Sequence, residues 1–283
     1  LRFLIRFGLF RHDSSRCSGV AGYRFARIEN RLLFSVLADV IADVLSIVPI
    51  FPGQVRNHRR PPLSDPKPTP LIDPTFLFRF EVTLRKHALK WTPKGLDLPA
   101  KCKLPSFGAL GERPVFADVR MAWSTDGIGV QVSVNGKRQV PWCRETRLDE
   151  SDGFHVWIDT RCSPGIHRAT QYCHRFLWMP AGGGSQREKP VSALVGINRA
   201  RGNPKAVAAK DLPIAAVPRH DGYQLSGLIP AAALTGFDPK NQPRISLYYA
   251  VIDRELGWQT LTLGPEYPVA EDPSLWGEAV LGN

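Results

Sequence analysis

Methionine is nearly missing from this 283-residue chain, which has two, and cysteine is scarce, with five. The five (Cys17, Cys102, Cys143, Cys162 and Cys173) contain no Cys-x-x-Cys pair. That spacing argues against a disulfide framework and matches no zinc finger; it allows reduced thiols, or at most one or two bridges. Also lacking are a Gly-x-Ser-x-Gly elbow, a phosphate-binding loop and a His-Glu-x-x-His helix. Their absence removes the common signatures of serine hydrolases, nucleotide enzymes and zinc peptidases, and no catalysis is expected. From residue 76 onwards there is no apolar pattern long enough for an extended helix.

A strong charge of one sign is also lacking where the chain is expected to fold. Residues 1–70 carry 11 Lys and Arg against 5 Asp and Glu, whereas the other 213 residues carry 26 against 21. A nucleic-acid reader shows its basic charge on the folded surface, so no nucleic-acid partner is expected. The one long apolar run, Leu32–Ile50, contains Asp39 and Asp43 four residues apart. Each would cost about 3 kcal/mol at the centre of a bilayer, so membrane contact is expected only if this segment proves to be a real anchor. LRFLIRFGLFR has neither the continuous apolar core nor the small-residue cleavage site of a secretory signal.

Proline and glycine are plentiful, at 25 and 24 residues. Prolines crowd Arg56–Pro74, which reads as an extended linker because each fixes its own dihedral and removes a donor. The division expected is 1–74, a basic extension that is mostly disordered or loosely helical, and 75–283, a folded domain. Beyond the linker, short alternating runs separated by turn residues predict strands. They are PTFLFRFEVTL, GIGVQVSV closed by Asn135-Gly136, Phe154–Asp159, Tyr172–Met179, SALVGI, DGYQLSGLIP, RISLYYAVID, WQTLTLG and WGEAVLGN. PAAALTGFDP reads as a turn or two of helix closed by Gly236. Many short strands and no long helix predict an all-β fold, an antiparallel β-sandwich of jelly-roll or immunoglobulin-like type.

The densest chemistry lies in Asp149–Pro180. Successive strand residues point to opposite faces, so His155, Trp157 and Asp159 share one face of the first run. Tyr172, His174, Phe176 and Trp178 share one face of the second. A sheet face bearing rings and imidazoles is a candidate binding surface, and Trp142 lies on the loop leading to it. Asp149, Asp152 and Asp159 supply carboxylates of the kind that hold Ca²⁺, although a solvated acidic face is the favoured reading of them. His167, Cys162, Cys173 and His174 are donors for a transition metal, yet Cys173 and His174 are adjacent on a strand and point opposite ways.

Four pieces in order resemble the family 9 carbohydrate-binding modules and their DOMON-like relatives. They are GIGVQVSV followed by Pro141-Trp142; Asp152 through Asp159 in DGFHVWID; Gly222-Tyr223 through Ile229-Pro230; and a strand ending at Asp253 followed by Asp272-Pro-Ser-Leu-Trp-Gly277. The His-Arg-Ala-Thr…Cys-His-Arg-Phe string resembles a branch of such domains found in planctomycete hypothetical proteins. The resemblance implies a non-catalytic β-sandwich, exported or at the cell surface, that holds a sugar on its concave sheet between two aromatic clamps. It places the first clamp at Trp142 and the second near Ala270, where Tyr267 is the nearest ring. It puts His155 where relatives have an acidic group and Ala250 where they have a glutamine, and it points to Arg168, His174, Arg175 and Trp157 as further ligand contacts. No cofactor is implied beyond a possible structural Ca²⁺. The alternatives are a structural or protein-interaction sandwich without the sugar site, and a metal- or haem-binding module, for which only Met121 and Met179 offer thioether ligands.

Overall fold

A computed structural model describes residues 74–283. The apolar stretch 32–50, the extension and nearly all of the linker lie outside the described residues. Eleven strands form: β1 Glu81–Lys86, β2 Ala117–Ser124, β3 Gly127–Asn135, β4 Gly153–Asp159, β5 Cys173–Gly183, β6 Lys189–Val195, β7 Ile214–Arg219, β8 Gly222–Pro230, β9 Arg244–Asp253, β10 Gly257–Thr260 and β11 Gly277–Gly282. Helical structure among the described residues is limited to short 3-10 turns, such as Ala231–Ala233 in the expected PAAALTGFDP segment.

The strands join edge to edge in the order β6-β5-β4-β9-β11-β1-β2-β3-β8-β7, and β10 shares the edge of β9 with β11. The sheet curls until β7 and β8 approach β5 and β6, giving two facing layers. The expected sandwich is therefore present, but it is mixed rather than purely antiparallel. β1 runs parallel to both of its neighbours, β11 and β2. Parallel neighbours cannot be joined by a tight turn, and residues 87–116 supply the long connection from β1 to β2.

β2 has no counterpart in the sequence reading and the ends of β5, β6 and β10 shift by several residues; three further differences each have a physical reason. PTFLFRFEVTL splits into a 3-10 turn at Pro74–Leu77 and β1. β7 (IAAVPR) contains Pro218, which lowers its strand signal, but at the end of the sheet a missing donor is tolerated. Gly136 has the positive φ of 81° that an Asn-Gly turn demands, yet the chain does not double back there. Asn135 instead pairs with Gly222, and the Lys137 N–H donates to the Asp221 carbonyl.

The core between the layers is built by Phe154, Val156 and Ile158 of β4, Phe176 and Trp178 of β5, and Val130, Val132, Leu225 and Ile229 opposite them. Trp178 presses onto Gly227 of β8, where an added Cβ would stand 2.4 Å from the indole. Gly227→Ala is therefore expected to displace the ring and cost about 1–3 kcal/mol, the usual penalty for overpacking. Denaturant titration measures this, and an unchanged midpoint would mean that the two layers are not in contact there.

Candidate functional site

The register of β4 and β5 separates the residues expected to share a binding face. Trp157 pairs with Arg175 and His155 with Leu177, so His155, Trp157 and Arg175 lie together. Ile158 pairs with His174, which places His174 on the opposite face, inside the sandwich with Phe176 and Trp178. His174 is fully buried; its Nδ1–H donates to the Tyr172 carbonyl at 2.9 Å and its Nε2 accepts the Thr235 N–H at 2.9 Å. These partners fix a neutral tautomer, and burial pushes the imidazole pKa down to about 4.

His155 and Trp157 are also buried, on the other face. The Arg175 guanidinium donates to His155 Nδ1 at 3.0 Å, lies 4.9 Å from the centre of the Trp157 ring, and pairs with the exposed carboxylate of Asp149. A guanidinium can only donate, so His155 Nδ1 accepts and its proton sits on Nε2. Burial, reinforced by the Arg175 charge, holds the His155 pKa well below the ordinary range. His155 Nε2, Trp157 Nε1 and Arg175 Nε are buried without hydrogen-bond partners. Cys143 and Leu148 pack over Leu177 and Met179, and Tyr248 beside Trp157 donates its hydroxyl to the Leu263 carbonyl. Loops thus cover this part of the sheet. An antiparallel sheet commonly leaves one face wet, but β4 is buried along its whole length.

Trp142 stands apart from the sheet face, on the loop before β4. Guanidinium groups of Arg254 and Arg144 lie 4.3 and 5.2 Å from its ring centre. Asp152 sets its position: Oδ2 accepts the Trp142 N–H, Oδ1 accepts the Arg254 N–H, and Oδ2 also meets the Lys137 ammonium at 3.0 Å. Lys137, with a side chain only 2% exposed, bonds Asp253 Oδ1 at 2.9 Å and approaches Glu255 at 3.7 Å. The motif carboxylates Asp152 and Asp253 therefore hold a buried ammonium. Nothing in the sequence marked Lys137, since a lone lysine after a strand reads as solvated.

The carboxylates considered for Ca²⁺ do not converge. Asp149 pairs with Arg175, Asp152 belongs to the Lys137 cluster, and Asp159 at the other end of β4 accepts the N–H groups of Arg161 and Ser163. Among the described residues no group of three His, Cys, Asp or Glu is placed to hold a metal ion. Met121 and Met179 are buried in separate clusters and do not face one pocket. Cys102, Cys143, Cys162 and Cys173 are free; burial raises the thiol pKa of Cys143 to about 12 and that of Cys173 to about 11.

An open cavity of about 250 Å³ lies elsewhere, lined by His167, Arg168, Arg199, Pro268, Glu271 and Asp272. His167 and Arg168 are on the loop from β4 to β5, Arg199 is on the loop after β6, and the others precede β11. β4 spans about 20 Å, and Trp142 meets Asp152 at one end while this loop leaves from the other. The structure thus brings Arg168 together with the segment carrying Tyr267, and places Trp142 at the opposite end of β4. Tyr267, beside Pro268, stacks on Phe76 with ring centres 5.4 Å apart.

The cavity walls are tied to one another. The Arg168 Nε–H donates to the Arg199 carbonyl at 2.8 Å, the Arg201 N–H donates to the Ala169 carbonyl, and Asn198 donates to Glu271. Asp272 accepts the Ser274 N–H and hydroxyl and meets His167 Nδ1 at 3.0 Å. Burial works against the Asp272 charge, but these partners together hold its pKa below the ordinary value.

Ser274, His167 and Asp272 are the residue types of a hydrolytic triad, but the geometry is not that of one. The Ser274 hydroxyl and the Asp272 carboxylate both approach Nδ1. A triad puts the nucleophile and the carboxylate on different ring nitrogens, so that one orients the base while the other is activated. Sequence reading took Asp272 as a marker of resemblance and His167 as a metal donor; it had no reason to select Arg199, Glu271 or Pro268.

No family model matches the sequence, and no curated protein matches it. Solved structures do. A family 9 carbohydrate-binding module from Caldicellulosiruptor kristjanssonii in complex with cellotriose is 10% identical, with 72% of this chain and 94% of that one covered at a TM-score of 0.51. Another from the same organism, in complex with glucose, is 11% identical, with 72% and 96% covered at a TM-score of 0.48. At such identity the first of these likenesses, the one above a TM-score of 0.5, speaks for architecture alone, in keeping with the all-β sandwich described above. This chain has the fold of a family 9 carbohydrate-binding module.

Proposed function

We propose that the chain is a non-catalytic carbohydrate-binding domain whose sugar seat is the cavity between His167, Arg168, Arg199, Pro268, Glu271 and Asp272. One observation carries the reading: the cavity is open and lined by an apolar surface among five residues with polar or charged side chains, whereas the sheet face is covered at His155 and Trp157. Its size suits a single sugar ring, which presents a C–H face and polar edges. Pro268 offers an apolar wall to the first, and the side chains of Arg168, Glu271 and Asp272 offer donors and acceptors to the second. The stacked Tyr267 and Phe76 extend the aromatic surface next to it. The solved modules of this fold in complex with cellotriose and glucose support the ligand class. An exported or cell-surface location follows from the same reading.

The experiment is a glycan array and affinity electrophoresis with the full chain. Arg168→Ala is expected to weaken retention on the ligand-bearing gel at least tenfold with no change in thermal unfolding. Trp142→Ala, at the opposite end of β4, is expected to leave retention unchanged. Loss through Trp142 and not through Arg168 would move the site to the loop before β4. The covering of the sheet face also favours a second reading, an interaction domain that keeps the sandwich without sugar. Absence of retention on every glycan, together with specific capture of a protein, would select it.

A further inference from the structure

The charges around the cavity are unevenly satisfied. Its two acids are already engaged, Glu271 by the Asn198 amide at 2.8 Å and Asp272 by Ser274 and His167. Its two arginines are not: among the described residues neither the Arg168 nor the Arg199 guanidinium forms an ion pair with a carboxylate. Arg168 uses only Nε, on the Arg199 carbonyl, which leaves both of its terminal nitrogens free. Some arginines elsewhere on the domain find acids, such as Arg175 with Asp149 and Arg244 with Glu81 and Glu278, and others lie on rings, such as Arg161 on Tyr172 and Arg254 on Trp142; among the described residues Arg168 and Arg199 do neither and line a cavity.

The backbone beneath Arg199 adds an independent observation. Arg199 has φ +58°, a left-handed conformation that a side-chain-bearing residue rarely adopts without a constraint. The constraint is visible: the Asn198 side-chain oxygen accepts the Arg199 N–H, and the Arg199 carbonyl accepts from Arg168. A glycine would suit this turn with less strain, yet the position carries a guanidinium at the mouth of a cavity.

We infer that the cavity takes an acidic sugar, a ring bearing one carboxylate, with that carboxylate received by Arg168 and Arg199. This rests on the carbohydrate reading above and narrows its substrate class. The guanidinium fork matches a carboxylate in a planar, two-bonded arrangement and gains little from a neutral hydroxyl. Glu271 and Asp272, each with acceptor capacity left beside its own partners, accept from the ring hydroxyls. No bond is made or broken in this step; it is recognition only.

The test uses the full chain with oligomers of galacturonate, mannuronate and glucuronate-containing saccharides, each beside its methyl ester, and with neutral oligomers of glucose and galactose. Methylation removes the charge and keeps the skeleton. Binding of an acid form at least tenfold tighter than its ester, weakening as salt rises, is the expected result. Arg199→Gly, which retains the left-handed turn, is expected to abolish that preference while melting no lower than the parent chain. Equal binding of acid and ester, or of neutral oligomers alone, overturns the acidic-sugar assignment and leaves the carbohydrate reading standing. No binding of any saccharide overturns both. Retention of sulfated but not carboxylated saccharides rejects the carboxylate as the recognised group.

Discussion

Replacing Lys137 with methionine is expected to destabilise the domain by about 3–5 kcal/mol, the range for breaking a buried ion pair from one side. The ammonium is nearly inaccessible and meets Asp152 and Asp253, both fully buried, with Glu255 a little farther off. Burial is the largest single influence on Lys137 and opposes its charge, but hydrogen bonds to Asp253 and Asp152 outweigh it and hold the pKa above the ordinary lysine range. Methionine fills similar volume, so the loss would come mainly from carboxylates left without their counter-charge rather than from a cavity. The double variant Lys137→Met with Asp253→Asn is expected to recover part of the loss. An asparagine oxygen can still accept the Glu255 and Leu256 N–H groups that Asp253 Oδ1 accepts now. Urea unfolding of the four proteins in the cycle measures the coupling. A single-variant loss below about 1 kcal/mol, or no recovery in the double variant, would show that the cluster does not hold the loop before β4 in place.

Lys137 also shows why some of the fold was legible in the sequence and some was not. Alternation marked β3, β4, β8 and β9 almost to the residue, and β5 except for its last four residues, because each strand must present an apolar row to one interior. The same alternation showed that His155 and Trp157 share a face, but pairing decides what faces what. A register in which Ile158 opposes His174 puts the two imidazoles on different sides of the sheet, and pairing between strands is a long-range property. Covering loops are equally remote: Cys143 and Leu148 close over Leu177 and Met179 from a segment with no periodic signal. The cavity joins three loops separated by tens to about a hundred residues, so only Arg168 and the neighbourhood of Tyr267 could be reached from motif order. The parallel pairing of β1 was invisible for the same reason.

Acidification from pH 7 to pH 4 is expected to remove on the order of 3 kcal/mol of stability through His174 alone. In the folded protein this imidazole has a pKa of about 4, depressed by burial, while an unfolded histidine titrates near the ordinary value of 6.5. Between those values the unfolded chain binds more protons than the native one, so stability rises with pH across the window. The contribution is complete above about pH 6.5 and is lost progressively as pH falls towards 4. His155 adds to the loss in the same direction, because its pKa is also depressed, by burial first and then by Arg175. Asp272 contributes in a different window: its lowered carboxyl pKa gives stability that is lost only below the ordinary carboxylate range. Urea midpoints measured at half-unit steps from pH 7 to pH 4 report the slope. His174→Gln, which has an oxygen able to accept the Thr235 N–H, is expected to flatten that slope whatever it does to stability at neutral pH. Parallel slopes for the variant and the parent chain would mean that His174 already binds its proton in the folded state, and would contradict an interior sealed around it.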